Sequence, residues 1–142
     1  MTLGLVPYLF MDGNAKEAIS FYEQVLGART EFIQAYEEMP ANPDFPLPEA
    51  AKGLIAHAML SIGESALMLS DSFPGNPPQQ GNQVTLCIMS KDKERSRTVF
   101  EALQQDGQVQ MPLQETFFSP AYGTVTDKFG VTFHVSTEAP QP

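Results

Sequence analysis

The chain predicts an α+β fold made of two βαβββ modules, with curved mixed sheets inside and helices outside. Three observations predict it. A passage recurs: Gly63-Glu64-Ser65-Ala66-Leu67-Met68-Leu69-Ser70 is echoed near the C-terminus by Lys128-Phe129-Gly130-Val131-Thr132-Phe133-His134-Val135-Ser136. Laying Leu67 on Phe133 puts Met68 on His134, Leu69 on Val135 and Ser70 on Ser136. Upstream of each copy lies a helix-like stretch closed by glycine, with Phe21 before Gly27 and Phe100 before Gly107. Between the copies, Asp71 to Gly81 is rich in Pro, Gly, Asn and Gln, the composition of a linker. An internal repeat of this kind implies pseudo-symmetry, with a cleft where the copies face each other. The modules are placed at residues 1–72 and 82–137 of a single domain (1–142), joined by a linker at 73–81. Residues 138–142 are expected to be a disordered tail.

Each element has a local reason. Leu5 to Met11 is short, apolar and β-prone, which predicts a strand. Asp12-Gly13-Asn14 makes a turn, with Asn14 as N-cap and Glu17 three residues on, as in a capping box. Ala18, Phe21, Tyr22, Val25 and Leu26 then recur at helical spacing until Gly27 ends the helix. Arg29 to Tyr36 is the next strand. Glu37 to Gly53 contains Pro40, Pro43, Pro46 and Pro48, too many for a strand or a long helix, so an irregular loop is expected as a possible cover over a site. Leu54–Ile62 and Ser65–Ser70 form a hairpin turned at Gly63-Glu64.

In the second copy, Asn82 to Met89 repeats the opening strand. Asp92 to Gln105 repeats the helix, with Val99, Phe100 and Leu103 on one face and Asp106-Gly107 closing it. Val109 to Leu113 is a strand cut by Pro112. Glu115 to Thr126 holds the pair Phe117-Phe118 and a Pro-Ala-Tyr-Gly turn, and Val131 to Ser136 is the last strand. Asp127-Lys128-Phe129-Gly130 makes the tight turn into it.

Composition narrows the function. With 42% apolar residues the chain can fill an ordinary interior, and no apolar run is long enough to span a membrane. A net charge of −9 with only eight basic residues argues against nucleic acid or an anionic membrane as partner. Lys91, Lys93, Arg95 and Arg97 cluster, but Asp92 and Glu94 interrupt them. Met1 to Leu5 lacks a basic segment followed by an apolar one, so no secretory signal is expected. The lone Cys87 cannot form an intrachain disulfide, which suits a cytoplasmic protein. It stands in the apolar run Val84–Met89 and is expected to be a buried packing residue.

Several runs carry a family resemblance: Pro7-Tyr8-Leu9, Gly13-Asn14, Ala18-Ile19, Phe21-Tyr22, Leu26-Gly27, Ile55-Ala56-His57-Ala58 and Gln114-Glu115-Thr116-Phe117, with Tyr122-Gly123 and Val125-Thr126-Asp127-Lys128-Phe129-Gly130-Val131. They span almost the whole chain, and the last run is the most specific. The pattern resembles the vicinal oxygen chelate superfamily of glyoxalase I, extradiol dioxygenases and the fosfomycin- and bleomycin-resistance proteins. Within it the chain looks most like the PhnB-like branch, also labelled demethylubiquinone methyltransferase-like. The resemblance implies a glyoxalase-like fold with a U-shaped cleft, and a homodimer.

In metal-using relatives the ligands come from the first and last strands of each module. The resemblance carries those positions onto Pro7, Met68, Val84 (or Gln83 by a shift of register) and His134. Proline and valine have no side-chain donor, methionine offers only a soft thioether, and one imidazole does not hold a divalent ion against water. No metal and no other cofactor is therefore expected. The alternative is a divalent metal held around His134 with His57, Glu64 or Glu115.

The ligand-binding candidates are Met68, Phe118, Tyr122 and His134, and the acid–base candidates are His134, His57 and Glu115. His134 lies between Phe133 and Val135, which alternation turns to the opposite face. His57 has small neighbours, Ala56 and Ala58, and recurs in the PhnB-like pattern. Glu115, with Gln114, precedes aromatic residues that would raise a carboxyl pKa. Phe118 and Tyr122 offer rings to stack on a planar ligand. Asp71 is expected to cap the linker. The leading expectation is a metal-free small-molecule binder. The alternative is an isomerase, lyase or dioxygenase that uses a metal or a His/Glu pair. The methyltransferase label gains no support from the chain, which lacks a glycine-rich turn of the nucleotide-cofactor type.

Overall fold

The structure, a computed structural model, describes residues 2–140. Two βαβββ repeats follow in order: β1 (Tyr8–Met11), α1 (Ala15–Leu26), β2 (Arg29–Ala35), β3 (Ile55–Ile62) and β4 (Ser65–Asp71), then β5 (Leu86–Ser90), α2 (Lys93–Leu103), β6 (Gln108–Gln114), β7 (Tyr122–Thr126) and β8 (Thr132–Thr137). Each repeat forms a four-stranded mixed sheet, in the order β1-β4-β3-β2 and β5-β8-β7-β6. The first and last strands of each repeat pair in parallel, and the others are antiparallel. This is the expected α+β glyoxalase-like architecture. The chain divides into two units, Met1–Gln79 and Gln80–Pro142. Among the described residues no helix is long and apolar enough to cross a membrane.

Each unit buries one sheet face under its helix. α1 contributes Ala15, Ala18, Ile19, Phe21, Tyr22, Val25 and Leu26, the stripe that helical spacing predicts. Leu60, Leu67, Leu69 and Ala58 are buried in the strands of the same unit. α2 contributes Val99, Phe100 and Leu103, and Val125, Phe133 and Val135 are buried in the strands of its unit. Burying each such large side chain stabilises the fold by about 1.5–3 kcal/mol.

Several boundaries differ from expectation, each for a physical reason. β1 begins at Tyr8, after Pro7, which has no N–H; its carbonyl still accepts a hydrogen bond from Met68 N at 3.0 Å. β5 begins at Leu86, so Gln83 and Val84 lie before the strand, with Val84 81% exposed. β6 runs through Pro112 rather than stopping at it. As an edge strand it tolerates a missing donor, with shifts of register on either side of Met111. The capping box at α1 does not form: Asn14 makes no side-chain cap bond, and its Oδ1 is buried without a partner. The first helical N–H, from Ala15, goes instead to Asp71 Oδ1 at 2.9 Å, and Asp71 Oδ2 accepts from Ile55 N at 2.9 Å. Asp71 is thus the last residue of β4 and caps a helix and a strand start, not a linker.

At α2, Asp92 does cap, its Oδ1 accepting from Glu94 N at 3.0 Å. The left-handed residue after α2 is Asp106, at φ 57°. Gly107 is needed for space: a Cβ there would stand 2.3 Å from the Thr126 carbonyl oxygen. The Pro-rich segment contains two single 3-10 turns, Tyr36–Glu38 and Glu49–Ala51. Its ends are tied by Tyr36 N donating to Leu54 O at 2.9 Å. At the C-terminal end of the described residues, Glu138 N donates to Ser90 O at 2.8 Å, which holds the first residue of the expected tail; Gln141 and Pro142 lie outside the described residues.

Candidate functional site

The face of each sheet opposite its helix carries the candidate residues. In the first unit, register sets Tyr8 beside Met68, Met68 beside Met59, and Met59 beside Phe32, a row across all four strands. A second row carries Phe10 beside Ser70, and His57 beside Gln34. Tyr8 and His57 meet at this surface: the Tyr8 hydroxyl lies 3.2 Å from His57 Nδ1, and the rings stack with centroids 5.7 Å apart. Phe10 and Phe32 flank them, with ring centroids 5.1 Å from Tyr8 and 5.7 Å from His57 respectively. Tyr8, Phe10 and Phe32 are all exposed although large and apolar.

Tyr36 closes one end of this region. Its hydroxyl donates to the Asp71 carbonyl at 3.4 Å, and its ring stacks on Phe73 at 5.4 Å. Burial first, then the neighbouring Tyr8 and Asp71, hold its pKa above the ordinary tyrosine value.

In the second unit the equivalent row is Cys87, His134, Thr124 and Met111. The next row is Met89, Ser136, Tyr122 and Gln114. The Tyr122 hydroxyl is 2.5 Å from His134 Nδ1, and Thr124 Oγ1 is 3.4 Å from the same nitrogen. Both hydroxyls engage the same ring nitrogen, and which atom donates follows the tautomer of the imidazole. Phe118 packs edge-on against Tyr122 with centroids 4.9 Å apart, and Phe117 against Phe118 at 5.2 Å. Two of the four ligand-binding candidates, Tyr122 and His134, are therefore in direct contact, and Phe118 is one ring away. Met68 occupies in the first unit the position that His134 occupies in the second.

Three expectations change. Cys87 is exposed on the open face beside His134, not buried in the core. β5 is an edge strand with its intermediate residues on the helix side, and an apolar run alone does not reveal which residues alternation leaves uncovered. Partial desolvation still raises the Cys87 thiol pKa, so it is a neutral thiol near pH 7. Glu115 does not join His134: it lines a cavity against α2 with Lys93, Arg97 and Glu101, on the other side of the sheet. Val84 is not the counterpart of Pro7. Pro7 precedes Tyr8 and Leu86 precedes Cys87, so the repeat equates Pro7 with Leu86.

Sequence reasoning missed Tyr8, Thr124 and Cys87 as face residues. A signal was present for Tyr8 and Cys87: once Met68 is aligned with His134, their partners on the first strand of each repeat follow from parallel pairing.

Whether these residues could hold a divalent ion depends on their donor chemistry. The open row offers a phenol and two thioethers in the first unit, and one thiol, one imidazole and one hydroxyl beside another thioether in the second. Among the described residues no group of three His, Cys, Asp or Glu side chains converges. The donor set does not fit the three or four hard or borderline ligands that a divalent ion takes from a protein.

Comparison with known proteins gives the family and the fold. A family model described as the Glyoxalase/Bleomycin resistance protein/Dioxygenase superfamily matches residues 4–135. Protein YjdN of Escherichia coli (strain K12) is 33% identical over 144 residues, which covers 97% of each chain. The crystal structure of protein PA1353 from Pseudomonas aeruginosa is 36% identical with a TM-score of 0.84, covering 96% of this chain and 98% of that one. A PhnB protein from Bacillus cereus, described as a putative 3-demethylubiquinone-9 3-methyltransferase, is 26% identical with a TM-score of 0.78, covering 95% and 99%.

Proposed function

The chain belongs to the glyoxalase/bleomycin resistance protein/dioxygenase superfamily, and from that premise we propose that it is a metal-free small-molecule-binding member. The ligand is held by the open sheet faces, and the cleft and the homodimer expected from the sequence belong to this proposal, as does a cytoplasmic setting. One observation carries the reading: each sheet sets a tyrosine hydroxyl on the Nδ1 of a histidine, on the face its helix leaves uncovered. Held in this way, His57 and His134 present their remaining nitrogens in fixed directions, while Tyr8, Phe10, Phe32 and Phe118 supply ring surface. A few oriented polar groups on an aromatic ground is the usual composition of a ligand site.

The test is native mass spectrometry of freshly purified protein, followed by denaturation and identification of any released molecule. The reading expects an organic ligand whose return raises the melting temperature of stripped protein. It also expects that His134→Ala loses most of that rise. Stoichiometric metal surviving dialysis, in elemental analysis of the same sample, would overturn it. Sedimentation velocity checks the dimer.

A second reading has its own support in the 2.5 Å contact between Tyr122 and His134. A hydroxyl hydrogen-bonded to an imidazole on an open face suits general acid–base catalysis. In this reading the released molecule is a substrate or product, and turnover persists in EDTA but fails in His134→Ala and Tyr122→Phe. Methyl transfer, named for the Bacillus cereus protein, has no counterpart among these groups.

A further inference from the structure

We propose that the cavity between α2 and β6 is a second ligand site, on the opposite side of its sheet from His134, and that it takes a zwitterion of the amino-acid type with an apolar side chain. The inference is independent of the open-face reading. The cavity measures about 610 Å³, within the range of small-molecule sites and large enough for an amino acid or a dipeptide. Its helix wall carries Lys93, Arg97 and Glu101, spaced four apart and therefore aligned on one face of α2. Its strand wall includes Leu113, with Glu115 just after the end of β6, and its floor includes Phe100, which is only 4% exposed.

The charges are the telling feature. Two cations and two carboxylates line one cavity, yet they do not pair with one another. Arg97 reaches only Glu94, outside the cavity, at 4.0 Å. Lys93, Glu101 and Glu115 take part in no ion pair among the described residues. All four charged side chains are exposed, and charges of both signs around an apolar floor match a guest that carries both signs around an apolar group. The carboxylate goes to Lys93 and Arg97, the ammonium to Glu101 and Glu115, and the side chain to Phe100 and Leu113. A guest with no net charge is also indifferent to the chain's net charge of −9, which would repel a simple anion. The same balance discriminates: a lone carboxylate meets the two glutamates uncompensated, and a lone ammonium meets Lys93 and Arg97.

The experiment is a titration of the full chain, followed by ¹H–¹⁵N NMR, with L-leucine and leucyl-leucine in separate arms. Leucinamide, which lacks the carboxylate, and 4-methylpentanoate, which lacks the ammonium, are the controls. The expected result is saturable shifts confined to α2 and β6 with at least one zwitterion, and the arm that saturates at lower concentration identifies amino acid or dipeptide. Arg97→Gln and Glu115→Gln, both at exposed positions, should each weaken binding about tenfold, the loss of one charge-assisted contact, while leaving the rest of the spectrum unchanged. The proposal is overturned if neither zwitterion saturates up to tens of millimolar, or if the one-charge analogues bind equally well. It is equally overturned if both variants bind like the parent, or if the shifts fall on the Tyr122–His134 face instead.

Discussion

The same row of positions carries Tyr8, Met68, Met59 and Phe32 in the first unit and Cys87, His134, Thr124 and Met111 in the second. On the buried side the two units agree in kind: Leu67 answers Phe133, Leu69 answers Val135, and Ala58 answers Gly123. The difference teaches where selection by packing stops. A residue under a helix must fill a fixed volume, so both repeats keep apolar groups there. A residue on the uncovered face has no such duty, and there one repeat presents mainly rings and thioethers while the other presents mainly hydrogen-bonding groups. Along these strands the two repeats diverge most on the uncovered faces, where the ligand proposed above would bind.

The ends of the repeats differ too, and this yields the largest expected effect. Asp71 closes β4 and Thr137 closes β8 at equivalent positions, and both are buried. Asp71 satisfies two backbone N–H groups, those of Ala15 and Ile55. Thr137 makes one side-chain bond, its Oγ1 donating to Ser96 Oγ at 2.7 Å. Asp71→Ala orphans two buried donors at about 1–3 kcal/mol each, so a loss of about 3 kcal/mol is expected. Thr137→Val loses one hydroxyl pair, about 1 kcal/mol. Urea unfolding measures both through the midpoint, with an unchanged slope as the check on compactness. Equal losses would end the distinction between a carboxylate-stapled unit and a hydroxyl-stapled one.

A smaller effect separates the helix contacts. Gly123 in β7 stands where the first unit has Ala58 in β3. A Cβ at Gly123 would lie 2.8 Å from Phe100 Cε2 and 2.9 Å from the Leu113 Cα. Gly123→Ala gives the second unit the residue the first one has, yet it should destabilise by about 1–3 kcal/mol, because the backbone of Leu113 cannot give way as a side-chain tip can. Neutrality in thermal unfolding would show that the Phe100 ring is free to move and that the two helix–sheet contacts are alike.

How much of this was readable beforehand follows from the same physics. The βαβββ repeat was readable because alternation, helical spacing and glycine stops are local signals, and the Leu67/Phe133 alignment fixed which residues correspond. His134 and Tyr122 were readable as face residues because alternation separates them from Phe133 and from the buried Gly123. Cys87 was misplaced because an apolar run looks the same on a covered and an uncovered edge strand. Glu115 was misplaced because β6 continues past Pro112, which sends the next residues toward α2. Asp71 was missed as a helix cap because its partner Ala15 lies 56 residues away, beyond any local capping pattern.

The smallest effect expected is one of pH. In each unit a hydroxyl donates to the carbonyl of the closing residue: Tyr36 to Asp71 at 3.4 Å, and Ser119 to Thr137 at 2.7 Å. Only the first of these titrates in an accessible range. Burial, then Tyr8 and Asp71, raise the Tyr36 pKa above its ordinary 10.0, so the unfolded chain loses this proton first. The stability linked to it is therefore fully present below about pH 10 and is lost as pH rises through the folded value. Tyr36→Phe keeps a ring against Phe73 and removes the titrating group. Its melting temperature should fall less steeply than the parent's between neutral and strongly alkaline pH. Ser119→Ala should instead lie below the parent by a constant amount at every pH. If Tyr36→Phe follows the parent's alkaline slope, the first unit's closing hydroxyl is as indifferent to pH as the second's, and the alkaline loss belongs to another group.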